Sequence, residues 1–215
     1  MAVITISRQF GAGGRTLGEA VARRLGYQFV SQDVVNKIAE EAHVSIDWVR
    51  SMEKEAGGLL MRLASRLVSS DFIDRHIGED RSDFDEEKYA AFLKSLITSI
   101  AASGNVVFLG RGSQFILANR PDIINILLVA DFEDRINFIS EIWDVKKSEA
   151  EQTITARQKR RKTFLKAFDP RDPNDPSLYH LVINISRISL DQAEEMIIWL
   201  VEKMEDRPEQ NETST

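Results

Sequence analysis

Three stretches of the chain concentrate glycine and arginine, the residue types that hold oxyanions. The first is Ser7-Arg8-Gln9-Phe10-Gly11-Ala12-Gly13-Gly14-Arg15-Thr16, with three glycines in four residues. Glycine lets backbone N–H groups approach an anion closely, and a helix start adds unpaired N–H groups and a positive dipole end. The second is Gly110-Arg111-Gly112, an arginine between two glycines. The third runs from Arg157 to Lys166, where Arg157, Lys159, Arg160, Arg161, Lys162 and Lys166 make six basic residues in ten. Guanidinium groups meet phosphate oxygens two at a time, so these stretches together point to phosphate chemistry.

The glycine turn differs from the standard phosphate-binding pattern G-x-x-x-x-G-K-[ST]. Laid on the related form G-x-x-G-x-G-K-G-T, the chain keeps Gly11, Gly13 and Thr16, with Ala12 between the glycines. Gly14 then stands at the lysine and Arg8 at the first glycine. The Thr16 hydroxyl can still ligate Mg²⁺, which needs only one or two protein oxygens. The positive charge of the absent lysine must come from elsewhere, and Arg15 and Arg8 are nearest in sequence.

Each stretch needs a rigid element to aim it. Ala2 to Ser7 is a β-branched, apolar run, and Leu17, Val21 and Leu25 recur every fourth residue after the turn, so a strand leads into a helix. Gly26 stops that helix, and Tyr27 to Val30 reads as a second strand. Asn105 to Gly110 and Ile123 to Ala130 are unbroken apolar runs, as buried parallel strands are, and Leu181 to Ile185 is a fifth candidate. Ser148 with Glu151 and Ser189 with Gln192 read as capping boxes opening two helices. Strands alternating with helices predict an α/β, doubly wound, parallel five-stranded sheet with helices on both faces. The helical block between the second and third strands, about 36–104, is too long for a crossover and is expected to be an insert within a single domain, 1–206. Its acidic part, Asp71 to Lys88, reads as a solvated loop and helix start. Residues 207–215 read as a flexible tail.

Composition removes several alternatives. With 28 Lys+Arg against 34 Asp+Glu, the net charge of −6 argues against a nucleic-acid polymer as partner. The chain has no cysteine, which excludes disulfides, thiolate metal sites and cysteine nucleophiles. No apolar run reaches the roughly 18 residues of a membrane span, and the N-terminus has no signal-peptide pattern, so a cytoplasmic protein with no membrane partner is expected. His43, His76 and His180 share no ligand spacing, and no Gly-x-Ser-x-Gly elbow supports a hydrolase triad.

In order along the chain, Ile4-Thr5-Ile6-Ser7-Arg8-Gln9-Phe10-Gly11-Ala12-Gly13-Gly14-Arg15, Gly110-Arg111-Gly112 and Tyr179-His180-Leu181-Val182-Ile183-Asn184 resemble the cytidylate kinase-like family. That resemblance spans residues 2 to about 203 and implies the P-loop fold of nucleoside monophosphate kinases. It implies ATP and Mg²⁺ as cofactors and a nucleoside monophosphate, CMP or dCMP first, as acceptor. Arg8, Gly11, Ala12, Gly13, Gly14, Arg15 and Thr16 would then hold the donor nucleotide and its metal. Arg111 matches the arginine of the family's G-R-D, which meets the acceptor phosphate, while Gly112 replaces its aspartate. The basic run falls in the lid, about 145–170, where Arg161 would close on the transferring phosphoryl group. Arg157 and Arg160 are secondary candidates, and Gln158 stands where the family has an aspartate. Asp33, in Ser31-Gln32-Asp33, matches the charge of an acceptor-site or metal-linked acid, and equally suits a plain helix start. A degenerate kinase that binds nucleotide as a sensor, or a kinase for another small acceptor, stays open, as does the oligomeric state.

Overall fold

The computed structural model describes residues 2–31 and 86–206. Strand β1, Val3–Arg8, leads through the glycine turn into helix α1, Gly14–Leu25, and then β2, Gln28–Val30. After α2, Glu86–Ala101, come β3, Val106–Leu109; a single turn α3, Ser113–Ile116; and β4, Ile123–Val129. Helices α4, Phe132–Trp143, and α5, Lys147–Leu165, form a hairpin before β5, Leu181–Asn184, and α6, Leu190–Glu205. The strands form one parallel sheet in the order β2-β3-β1-β4-β5. This is the expected α/β architecture. β1 is shifted by one residue from the run that announced it, and the other four strands are a residue or two shorter than theirs.

Alternation along β1 builds the two sides. Ile4 and Ile6 are fully buried under α1 and α6, among Leu17, Val21, Ile126 and Ile197. Val3 lies on the opposite face under α2, among Leu93, Leu96, Ile97 and Phe108. A central strand buried on both faces can present polar chemistry only at its ends, and the carboxyl ends of parallel strands are where ligands bind in such sheets. Helix α2, the described part of the expected insert, covers the sheet itself through Leu93, Leu96, Ile97 and Ile100. A third, smaller core joins α4 to α5 through Ile136, Ile139, Ala150 and Ile154, with Phe10 packed on it. No described helix is long and apolar enough to cross a membrane.

The helix ends follow local chemistry, with one correction. Gly26 takes a left-handed conformation, and the Tyr27 N–H behind it donates to Ala22 O at 2.8 Å, so Tyr27 closes α1 rather than opening β2. Ser189 and Gln192 form the expected capping box at α6. The box expected at Ser148 and Glu151 is not formed: α5 starts at Lys147, with Lys146 as its cap and no side chain capping it. Its start is fixed earlier by the α4–α5 turn, where the Val145 N–H donates to Ser140 O and Ser140 Oγ donates to Val145 O at 2.6 Å. That displaces Ser148 into the helix, where its hydroxyl caps nothing. Ser189→Ala should therefore cost about 1 kcal/mol in urea unfolding, while Ser148→Ala should change stability by less than about 0.5 kcal/mol.

Candidate functional site

The residues Ser7, Arg8 and Gln9 leave the buried part of β1 and go three ways. Ser7, still buried, accepts a hydrogen bond from Arg161 Nη2 at 2.9 Å. Gln9 Oε1 accepts from the Ala130 N–H at 3.0 Å, fastening the turn to the end of β4. The Arg8 side chain crosses to the start of α1: a Cβ placed on Gly14 would come within 2.9 Å of its Cγ. It continues toward β3, since a Cβ on Gly110 would land on its guanidinium. The motif is thus three separate attachments at one strand end.

The glycine turn opens α1 with no help from side chains. Gly13 is the N-cap, at φ 70°, with no side-chain cap, and the first turn holds no acid. The positive end of α1 is left without a carboxylate of its own, which suits an anion. Ala12 is buried, and Thr16 is exposed on the first turn. Arg15 is also exposed, its side chain 53% accessible, and pairs with Glu19 at 3.6 Å on the helix surface. Of the two arginines expected to replace the loop lysine, Arg8 has its side chain packed against Gly14 of the loop.

The turn is braced by residues that its sequence does not advertise. Arg135, buried on α4, donates from Nη1 to Phe10 O at 3.5 Å and from Nε to Ala130 O at 3.2 Å. Gln158 Oε1 accepts from the Phe10 N–H at 3.3 Å. Arg157 lies with its guanidinium 4.8 Å from the Phe10 ring and 5.3 Å from the Trp143 ring, and those rings meet edge-on at 5.8 Å. Cation–π contacts of this kind contribute about 0.5–2 kcal/mol. The glutamine standing for the family's aspartate therefore binds the phosphate loop's backbone, and Arg157 fastens α5 to the same loop.

Arg161 is held from several sides. Besides Ser7, its guanidinium donates to Asn174 Oδ1 at 2.9 Å and Pro173 O at 3.3 Å. Burial pulls its pKa down, while Tyr179 and Asp172 nearby oppose the shift; the group stays charged. The Tyr179 hydroxyl donates to Pro173 O at 2.6 Å. Burial pushes the Tyr179 phenol up, against contacts with Ser7, Arg161 and Gln114, so it is neutral near pH 7. Gln114 is 3% exposed, and among the described residues its amide has the Tyr179 hydroxyl as a neighbour without a well-aligned hydrogen bond. Ser7, Gln114 and Tyr179 were not candidates from sequence. The Ser7–Arg161 pairing spans 154 residues, which no local pattern reports.

Gly110, Arg111 and Gly112 are all left-handed, with φ of 75°, 60° and 73°. For glycine this is easy; for arginine it costs roughly 1–2 kcal/mol. Backbone strain of this sort gathers where a side chain has to be aimed. The run turns the chain off β3, with Ser113 Oγ and N–H both donating to Gly110 O. Arg111 lies 5.4 Å from the Phe164 ring of α5. Phe164, Ala156, Lys159, Arg160 and Thr163 line one groove of about 510 Å³, so Arg111 lies against one of that groove's lining residues. Asp33 lies outside the described residues, as do His43 and His76. Among the described residues no three His, Asp or Glu side chains gather as a metal cage.

The chain belongs to the cytidylate kinase-like family, whose model matches residues 3–187. It is similar to the cytidylate kinase of Pyrobaculum aerophilum, at 27% identity over 90% of this chain and 89% of that one. Among solved structures it is similar to an uncharacterized protein from Eubacterium ventriosum ATCC 27560 (TM-score 0.66, 20% identity, 94% and 98% of the two chains). It shares its fold with the shikimate kinase of Acinetobacter baumannii (TM-score 0.51, 15% identity, 96% of each chain). The fold is that of P-loop kinases.

The strain at Arg111 gives an inverted substitution order. Arg111→Ala and Arg111→Gly lose the same contacts, but only alanine keeps the left-handed penalty. The glycine variant should be the more stable by about 1 kcal/mol in urea unfolding, opposite to the usual ranking of the two residues.

Proposed function

We propose that the protein transfers the γ-phosphoryl group of ATP to a nucleoside monophosphate, with CMP or dCMP the first acceptors. The bond from the γ-phosphorus to the β–γ bridging oxygen breaks, a bond to an acceptor phosphate oxygen forms, and ADP leaves. The observation that carries this reading is convergence. The glycine turn with its Arg8, then Arg111, then Arg161 come together at the carboxyl ends of β1 and β3, although they belong to three separate parts of the chain. Family membership and the cytidylate kinase relative support the choice of acceptor.

Phosphoryl transfer asks a protein mainly for positioning and charge neutralisation. The backbone of Gly11, Ala12, Gly13 and Gly14 and the uncapped start of α1 would hold the donor phosphates, with Arg15 at the rim. The exposed Thr16 hydroxyl in the same turn fits a hard cation and would hold Mg²⁺. That ion would supply charge that neutralises the donor phosphates when bound. Arg111, aimed by its left-handed backbone and lying against Phe164, would meet the acceptor phosphate beside the groove that Lys159, Arg160 and Phe164 line. A groove of about 510 Å³ is of ordinary size for a small-molecule site. Arg161, beside Ser7 at the foot of the loop, would add charge where the phosphoryl group passes. Arg157, in contact with the Phe10 and Trp143 rings, would act through the loop it braces.

Coupled ADP release with ATP, Mg²⁺ and a panel of nucleoside monophosphates tests the reading directly. CMP or dCMP should give the highest kcat/KM; a wild type that binds ATP yet turns over no acceptor would instead be a sensor. Arg111→Ala should raise acceptor KM by roughly 10- to 150-fold, the loss of a contact of ~1.5–3 kcal/mol. Arg161→Ala should lower kcat with little change in KM, because a contact made in the transition state appears in kcat. Arg161 also ties down Asn174 and Pro173, so its melting temperature is read alongside; a lower Tm with unchanged kcat would leave it a purely structural residue. Thr16→Ala should raise the Mg²⁺ needed for half-maximal rate, and an unaltered Mg²⁺ titration would remove Thr16 from the metal site.

A further inference from the structure

Resting on that reading, the geometry points to Arg8 as the replacement for the phosphate-loop lysine, and to Gly14 as the space that admits it. Gly14 has an ordinary helical backbone, and only Gly11 and Gly13 of the turn have positive φ. Nothing in its own conformation demands glycine, and glycine in a helix is worth about 1 kcal/mol less than alanine. What demands it is the Arg8 stem. A Cβ at position 14 would stand 2.9 Å from Arg8 Cγ and 3.3 Å from both its Cβ and its Cδ. A lysine at 14 would start inside that volume.

The rest of the Arg8 side chain shows where the charge goes. It runs past the first residue of α1 and ends against Gly110, where a Cβ would overlap Nη1 and lie 3.3 Å from Cζ. Gly110 begins the left-handed run that aims Arg111, and β3 is one of the two strands paired with β1. The guanidinium therefore sits between the turn that would hold the donor phosphates and the arginine that would hold the acceptor. A loop lysine carries a point charge toward the transferring phosphate from α1; Arg8 brings a charge to this crevice from β1. Its planar fork can contact two phosphate oxygens together. The substitution is a relocation of charge, from position 14 to position 8, rather than its loss.

Calorimetric affinity for ATP·Mg²⁺, read without acceptor, tests this in four proteins. The wild type should bind. Arg8→Met, which keeps the stem and removes the charge, should bind about 10- to 100-fold more weakly while the protein stays folded at the assay temperature. Gly14→Lys alone should lower the Tm, because it collides with the Arg8 stem. The double variant Arg8→Gly/Gly14→Lys, which restores the standard pattern at both positions, should regain the Tm and bind within about tenfold of wild type. Wild-type affinity in Arg8→Met overturns the inference alone. A Tm for Gly14→Lys equal to that of the double variant overturns the claim that the two positions compete for space. Failure of the wild type to bind ATP overturns the kinase reading and this inference with it.

Discussion

Everything in the candidate site follows from β1 being buried on both faces. Four neighbouring positions, Val3 to Ile6, are enclosed by two helical layers, and strands lie on both edges. Even Thr5 satisfies its hydroxyl internally, donating to Asn125 Oδ1 at 2.6 Å. Polar function is thereby forced to the one place where the strand runs out of cover. Within three residues the chain there makes a hydrogen bond to α5, spans to α1 and β3, and anchors on β4. The rigidity of the sheet becomes the precision of the site, because each attachment is made from a strand that cannot tilt without disturbing two cores.

The α4–α5 hairpin has a different balance. Its core is small, and from Thr155 to Thr163 α5 is exposed or half-exposed along most of its length. Such a helix is held at points rather than along a face. The points are Arg157 on Phe10 and Trp143, Gln158 on the Phe10 N–H, and Arg161 on Ser7. Two of them act on the residue immediately before the first glycine of the loop. The basic helix and the phosphate loop are consequently one mechanical unit. Charge in the segment serves two ends, since some of its cations are stacked or bonded while Lys159 and Arg160 remain on the groove.

The fold was legible because its signals are local and repeated. Unbroken apolar runs, a four-residue period and a glycine at the end of α1 each report on a few neighbours, and the resulting order of elements left few topologies. The glycine turn was legible for the same reason. What local patterns cannot supply is partnership across the chain. Arg157 and Arg161 are four residues apart in one basic run, and nothing in that run distinguishes the one that stacks on aromatic rings from the one that reaches a serine 154 positions away. Ser148 misled because a capping pair is also an ordinary pair inside a helix, and the turn before it set the boundary. The left-handed Arg111 could have been suspected from its two glycine neighbours, which reveal a backbone of unusual hand. Gln114, buried beside Tyr179, had no sequence signal at all.

The position of Arg8 across Gly14 and Gly110 also sets an order in which this sequence can change. A side chain cannot enter position 14 while the arginine stem lies there, and shortening the arginine first removes a charge before any substitute is present. If Arg8 carries the charge we infer for it, either first step would be a setback that only the second repairs, and positions 8 and 14 would form a lock with two tumblers. Position 110, nearly a hundred residues downstream, belongs to the same lock, because its freedom to carry a side chain ends where that guanidinium begins.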